Sequence, residues 1–116
     1  MSRDLERFQL VLLRRPAGAP EYDEATLDRL MGEHLAFLDE LRDRGLTATH
    51  GPVLDQPDPS LRGVVLYRVG SVEEALALGA EDPLVVAGRL ELEGMSYLCP
   101  PGGFTAPGEP IRLSSA

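Results

Sequence analysis

Apolar residues recur along the chain in two rhythms, and the changes between them mark out the elements. Phe8 to Arg14 (Phe-Gln-Leu-Val-Leu-Leu-Arg) is a short apolar run closed by Pro16, Gly18 and Pro20. It predicts a buried strand, followed by a loop over 15–22. From Asp23 to Arg44 the spacing changes to threes and fours. Leu27, Leu30, Met31, Leu35, Leu38 and Leu41 share one face of a helix at about 100° per residue, while Arg29, Glu33, Glu40 and Asp43 point away. Asp23 is the expected N-cap, Glu24 adds negative charge to the first turn, and Tyr22 can staple onto Leu27. Gly45 suits the left-handed position after the helix, with Leu46 folding back on Leu41.

The same reading continues downstream. Leu46 to Val53 predicts a second strand, interrupted at Gly51-Pro52, and Leu54 to Ser60 is a run of turn residues. Leu61 to Val69 predicts a third strand. Ser71-Val72-Glu73-Glu74 is a capping box that opens a short helix to about Ala80. Asp82-Pro83 marks a cap and an N1 proline for one further turn, through Leu84 to Gly88. Arg89 to Leu98 alternates as a fourth strand. From Cys99 on, prolines and glycines exclude regular structure. The expected organisation is one domain over residues 1–98 and a Pro/Gly-rich tail over 99–116. The order β-α-β-β-α-β predicts an α+β, ferredoxin-like split βαβ: a four-stranded antiparallel sheet with both helices on one face.

That architecture leaves one sheet face uncovered. Phe8, Leu10 and Leu12 point to one side of the first strand, and Val11 and Leu13 to the other. Val65, Tyr67 and Val69 oppose Val64 and Leu66 on the third. Helices cover one of these apolar faces. The other is larger than monomers usually leave in water, so a homodimer joined sheet to sheet is expected.

Composition narrows the chemistry. The 116 residues carry nineteen Asp and Glu against eleven basic residues, a net charge of −8, which argues against nucleic-acid partners. All the basic residues are Arg. Without Lys there is neither Schiff-base chemistry nor a Walker-type phosphate loop. A single cysteine and two histidines argue against a disulfide, a cysteine metal cage or a His-rich metal site, so no metal or cofactor is expected. No apolar run is long enough to span a bilayer, and the charged first residues do not resemble a signal peptide; the expected location is cytoplasmic.

His34 is the first candidate for chemistry. It lies one turn from both Leu30 and Leu38, on the apolar arc of the long helix, and should point inward. It reads either as a core imidazole bonded to a carbonyl or as a general acid or base titrating near neutrality. Asp82 reads either as an ordinary N-cap or as a carboxylate that orients His34. Their spacing alone does not bring them together. His50, on the second strand, reads as a solvent-facing residue or as part of a pocket wall. Cys99 lacks the basic neighbours that activate a thiol.

Taken in order, several stretches resemble the YCII (YciI-like) family of the dimeric α/β-barrel superfamily. They are Phe8–Arg14, Pro20–Glu24, Glu33-His34-Leu35-Ala36-Phe37-Leu38, Gly51-Pro52, Asp55–Gly63, Ser71–Ala75, Ala80-Glu81-Asp82-Pro83 and Ala87–Glu93. The resemblance covers about residues 8 to 98. It implies a split βαβ fold, a sheet-to-sheet homodimer, and an active-site pair carried by His34 and Asp82. The superfamily includes lactone isomerases, monooxygenases and eliminating enzymes that need no metal. Tyr97 stands where the family often has Trp, and the tail lies outside the resemblance. The resulting expectation is a cofactor-independent lyase or isomerase acting on a small cyclic or aromatic molecule, with His34 as acid/base and Asp82 orienting it. Arg14 or Arg68 is the expected partner for developing negative charge. The alternative is a non-catalytic small-ligand binding or interaction module of the same fold.

Overall fold

The computed structural model describes residues 4–104. Its strands are β1 (Glu6–Arg14), β2 (Thr47–Pro52), β3 (Leu61–Tyr67) and β4 (Glu91–Cys99); its helices are α1 (Glu24–Asp43), α2 (Val72–Gly79) and α3 (Pro83–Val86). The strands form one antiparallel sheet in the order β2-β3-β1-β4. α1 packs on β2 and on α3, and α2 packs on β1 and β4. This is the expected α+β split βαβ. No helix among the described residues is long and apolar enough to cross a membrane.

Local signals set the helix ends. The Asp23 carboxylate accepts from the Thr26 N–H at 2.8 Å. That bond holds its carboxyl below the ordinary carboxylate value. At the other end Gly45 takes φ of 76°. The Gly45 N–H donates to Arg42 and the Leu46 N–H to Leu41, the paired bonds of a Schellman turn. Ser71 caps α2 by accepting from the Glu74 N–H.

The core lies between the helices and one sheet face. Val11, Leu13, Val65 and Tyr67 meet Leu30, Leu38 and Leu41 of α1, Ala75 of α2 and Leu84 of α3. Each such aliphatic side chain contributes about 1.5–3 kcal/mol when fully buried. Gly79 lets α2 come close: a Cβ there would lie 2.8 Å from Leu92 Cδ1 and 3.3 Å from the Tyr67 hydroxyl. A smaller cluster of Phe8, Leu66 and Cys99, with Leu10 and Ala48, occupies the opposite face. Leu12, Val64 and Met95 are half-buried on that face, and Tyr97 is exposed there.

Four expectations need correcting. Met31 and Leu35 do not face the core; they are 47% and 51% exposed. The buried line runs through Leu30, His34, Leu38 and Leu41, and each of the two lies one residue, about 100°, beyond it. His50 is not solvent-facing, because a bulge in β2 between Thr47 and Thr49 shifts the register. His50 therefore pairs with Val65 and takes the helix side of the sheet. β1 starts two residues before Phe8, paired throughout with β4. Cys99 does not lie in a loop: it ends β4, paired with Glu6 and buried. A turn follows, and Phe104 packs edge-on against Phe8 with ring centres 5.3 Å apart. The rest of the expected tail, 105–116, lies outside the described residues.

Candidate functional site

α1 carries His34 inward because four-residue spacing places it between Leu30 and Leu38 on the buried line. An imidazole there, 8% exposed, needs a polar partner. The partner comes from the other end of the helical layer. Pro83 starts α3, and Asp82 before it is the N-cap, with Oδ1 accepting from the Leu84 N–H at 2.9 Å. The second carboxylate oxygen is then free to turn towards α1. Asp82 Oδ2 lies 2.7 Å from His34 Nδ1. Asp82 is 2% exposed, so the pair is screened little by water.

This geometry constrains the imidazole's hydrogen bonding. A carboxylate can only accept, so Nδ1 carries a proton and donates it to Asp82. With Nδ1 donating to Asp82, Nε2 is the ring nitrogen left to meet a substrate. Nε2 has no hydrogen-bond partner among the described residues. Such an arrangement can take up a proton at Nε2 and hold the resulting imidazolium against the Asp82 charge.

The surrounding polar groups have distinct environments. Burial, and then the nearby Asp82 carboxylate, pushes the Tyr67 phenol up to about 12. Tyr67 therefore stays protonated at neutral pH, an O–H donor in the core rather than a base. His50 Nε2 is 3.6 Å from Asp39 Oδ1, and its Nδ1 is buried without a partner. Burial holds the His50 imidazole below its ordinary value; the Asp39 charge opposes this, and the charges of Arg42 and His34 add to it. Among the described residues no group of three or more His, Cys, Asp or Glu side chains is arranged to hold a metal.

Neither arginine expected to stabilise charge faces the His34–Asp82 pair. Arg14 is engaged by Glu93 at 2.8 Å and Asp58 at 3.3 Å. Glu93 lies opposite Leu12, on the sheet face away from the helices. Arg68 sits over the Phe8 ring, 5.3 Å from its centre, on that same side. A cleft of about 260 Å³ is instead bordered by Arg15, Leu27, Asp28, Met31, Leu84 and Arg89, and neither His34 nor Asp82 lines it. Leu84 is the residue whose N–H Asp82 caps, and Met31 is one turn before His34. A larger cleft of about 510 Å³ runs between the end of α1 and α2, past Arg44, Glu74 and Glu81. Neither cleft is lined by His34 or Asp82, so volume and chemistry point to different places; the paired imidazole and carboxylate are the stronger sign of a site.

Tyr67 and Arg15 were not singled out by sequence reasoning. For Tyr67 the strand alternation already placed the side chain on the helix face, but nothing local linked it to Asp82. Arg15 carries no sequence signal that separates it from Arg14.

Comparison with known proteins agrees with this architecture. The family profile described as YCII-related domain matches residues 10–93. No curated protein matches the chain. A similar solved structure is 5-chloro-2-hydroxyhydroquinone dehydrochlorinase from Burkholderia phenoliruptrix AC1100, in complex with 2,5-dihydroxybenzoquinone. It is 17% identical, with 78% of this chain and 90% of that chain covered and a TM-score of 0.53. At that identity the likeness is one of fold alone.

Proposed function

Since the chain belongs to the YCII-related domain family, we propose that it is a cofactor-independent enzyme using His34 as general acid/base and Asp82 to position it. The observation that carries this reading is the 2.7 Å contact between His34 Nδ1 and Asp82 Oδ2, which leaves Nε2 unpartnered. The substrate class is a small cyclic or aromatic molecule, and the reaction an elimination or isomerisation. In the elimination, Nε2 takes a proton from the substrate, the released electron pair forms a new π bond, and the leaving group departs with its bonding pair. In the isomerisation, the imidazolium returns the proton at a different carbon. Asp82 stabilises the imidazolium in both. The neighbouring fold supports this choice of chemistry, because that protein is a dehydrochlorinase with a dihydroxybenzoquinone bound. A second copy joined through the Phe8, Leu10 and Leu66 face belongs to the same reading, since that face is apolar and free of helices.

Halide release from a panel of chlorinated hydroxyhydroquinones tests the proposal. His34→Ala should lose about 10²–10⁴-fold in turnover while its circular dichroism stays that of a folded chain. Full activity in that variant rejects the dyad. The slight exposure of His34 and Asp82 favours one alternative, a binding module in which the pair is structural. It predicts thermal stabilisation by the quinone probe with no turnover of any member of the panel.

A further inference from the structure

Among the described residues Arg15, Arg62 and Arg89 interact with one another and none of them is ion-paired to a carboxylate. Arg15 follows the last residue of β1 and uses its backbone N–H on the Ser60 carbonyl at 2.8 Å. Its guanidinium makes no hydrogen bond or ion pair among the described residues, and its Nε is sealed from solvent. Arg89 borders the same cleft and donates to the Pro20 carbonyl at 3.0 Å. Arg62 donates to the Pro59 carbonyl at 3.4 Å. Burial, then the charges of Arg89 and Arg62, hold the Arg15 guanidinium below its ordinary value. Like charges gathered at one place repel, yet Arg62 and Arg89 are bonded to backbone carbonyls and not to carboxylates. Asp28 lines the cleft too, but it forms no ion pair with either arginine. Arg14, one residue away, is by contrast held by Glu93 and Asp58.

We propose that this cleft binds the anionic end of a small cyclic organic acid whose charge is shared by two oxygens, with Arg15 and Arg89 taking the oxygens and Leu27, Met31 and Leu84 the ring. A guanidinium fork matches paired oxygens, and apolar walls match a planar ring. Met31, on the cleft wall, precedes His34 by about 4.5 Å along the helix axis, which puts a ring held there beside the turn of α1 that carries the imidazole. This placement of the ring rests on the function proposed above; the anion site does not.

Calorimetric titration of the full chain with benzoate, and with its neutral counterpart benzamide, tests the site. Benzoate should bind more tightly than benzamide. Arg15→Gln should weaken benzoate about ten- to a hundredfold and leave benzamide unchanged. Arg15→Lys keeps the charge but loses the fork, and should fall between the two. Both variants should unfold at the wild-type temperature or above, because the Arg15 guanidinium has no partner to lose. His34→Ala should bind benzoate as the wild type does, so loss of turnover and loss of anion binding are separate results. Equal affinity for the two probes, no benzoate binding at millimolar concentration, or unchanged benzoate binding in both folded Arg15 variants overturns the proposal.

Discussion

Asp82→Asn separates the two tasks of one side chain. Asp82 Oδ1 caps α3 and Oδ2 holds His34 Nδ1. An asparagine can keep its carbonyl oxygen on the Leu84 N–H and turn its amide nitrogen towards the imidazole. The amide donates, so Nδ1 must now accept, and the ring proton moves to Nε2. The cap is kept. What is lost is the difference between a bond to a charged group, about 1.5–3 kcal/mol, and a neutral one, about 0.5–1.5 kcal/mol. The expected cost is therefore about 1–2 kcal/mol. Asp82→Ala removes the cap as well, a further loss of about 1 kcal/mol, and leaves the imidazole buried without its partner. Urea unfolding of the three proteins, analysed by linear extrapolation, measures both steps. Nitrogen-15 NMR of the His34 ring reads the tautomer directly: protonated Nδ1 in the wild type, protonated Nε2 in Asp82→Asn. Turnover should fall far more than stability, about 10⁴-fold where a histidine is held in the wrong tautomer. A wild-type spectrum with the proton on Nε2, or the same tautomer in both proteins, refutes the reasoning whatever the stability change.

Two further outcomes are expected. His50 is held below its ordinary value chiefly by burial, so near and below pH 6.5 the unfolded chain binds more protons than the folded one. Its contribution to stability is full above the unfolded pKa and is lost as the pH falls through the folded one. Wild-type stability should decline more steeply than that of His50→Gln between about pH 7 and 5, measured by urea midpoints; parallel curves contradict the assignment. On the open face, the chain should sediment as two copies, and Leu10→Glu should sediment as one, since it buries an unpaired charge at the centre of the proposed contact. A wild-type mass of a single chain at micromolar concentration rejects the sheet-to-sheet dimer.

Much of the fold was legible because the forces that set it act over a few residues. Asp23 and Ser71 cap their helices, and Gly45 ends α1 as its position indicates. Each depends on one side chain or backbone angle next to the groups it satisfies. The alternation in β1 and β3 correctly divided Val11, Leu13, Val65 and Tyr67 from Phe8, Leu10 and Leu66, because a strand's two faces follow from its own pleat. The orientation of His50 was not legible. It depends on the bulge after Thr47, and a one-residue shift of register turns every later side chain over. Met31 and Leu35 show a similar limit: helical periodicity finds an apolar arc, but the width of the arc that is buried depends on where α1 meets the sheet.

By itself the sequence determined the order of the elements and a histidine directed inward from α1. The resemblance of several ordered stretches to a family nominated Asp82 as its partner. Only the tertiary structure brought the two together, across 48 positions of chain, through the packing of α3 on α1. It also distinguished two adjacent arginines, Arg14 closed off by carboxylates and Arg15 left open at a cleft. The reason is physical: caps, turns and periodicity are governed by neighbours in sequence, whereas a site depends on distances between elements, and those are fixed when apolar faces dock.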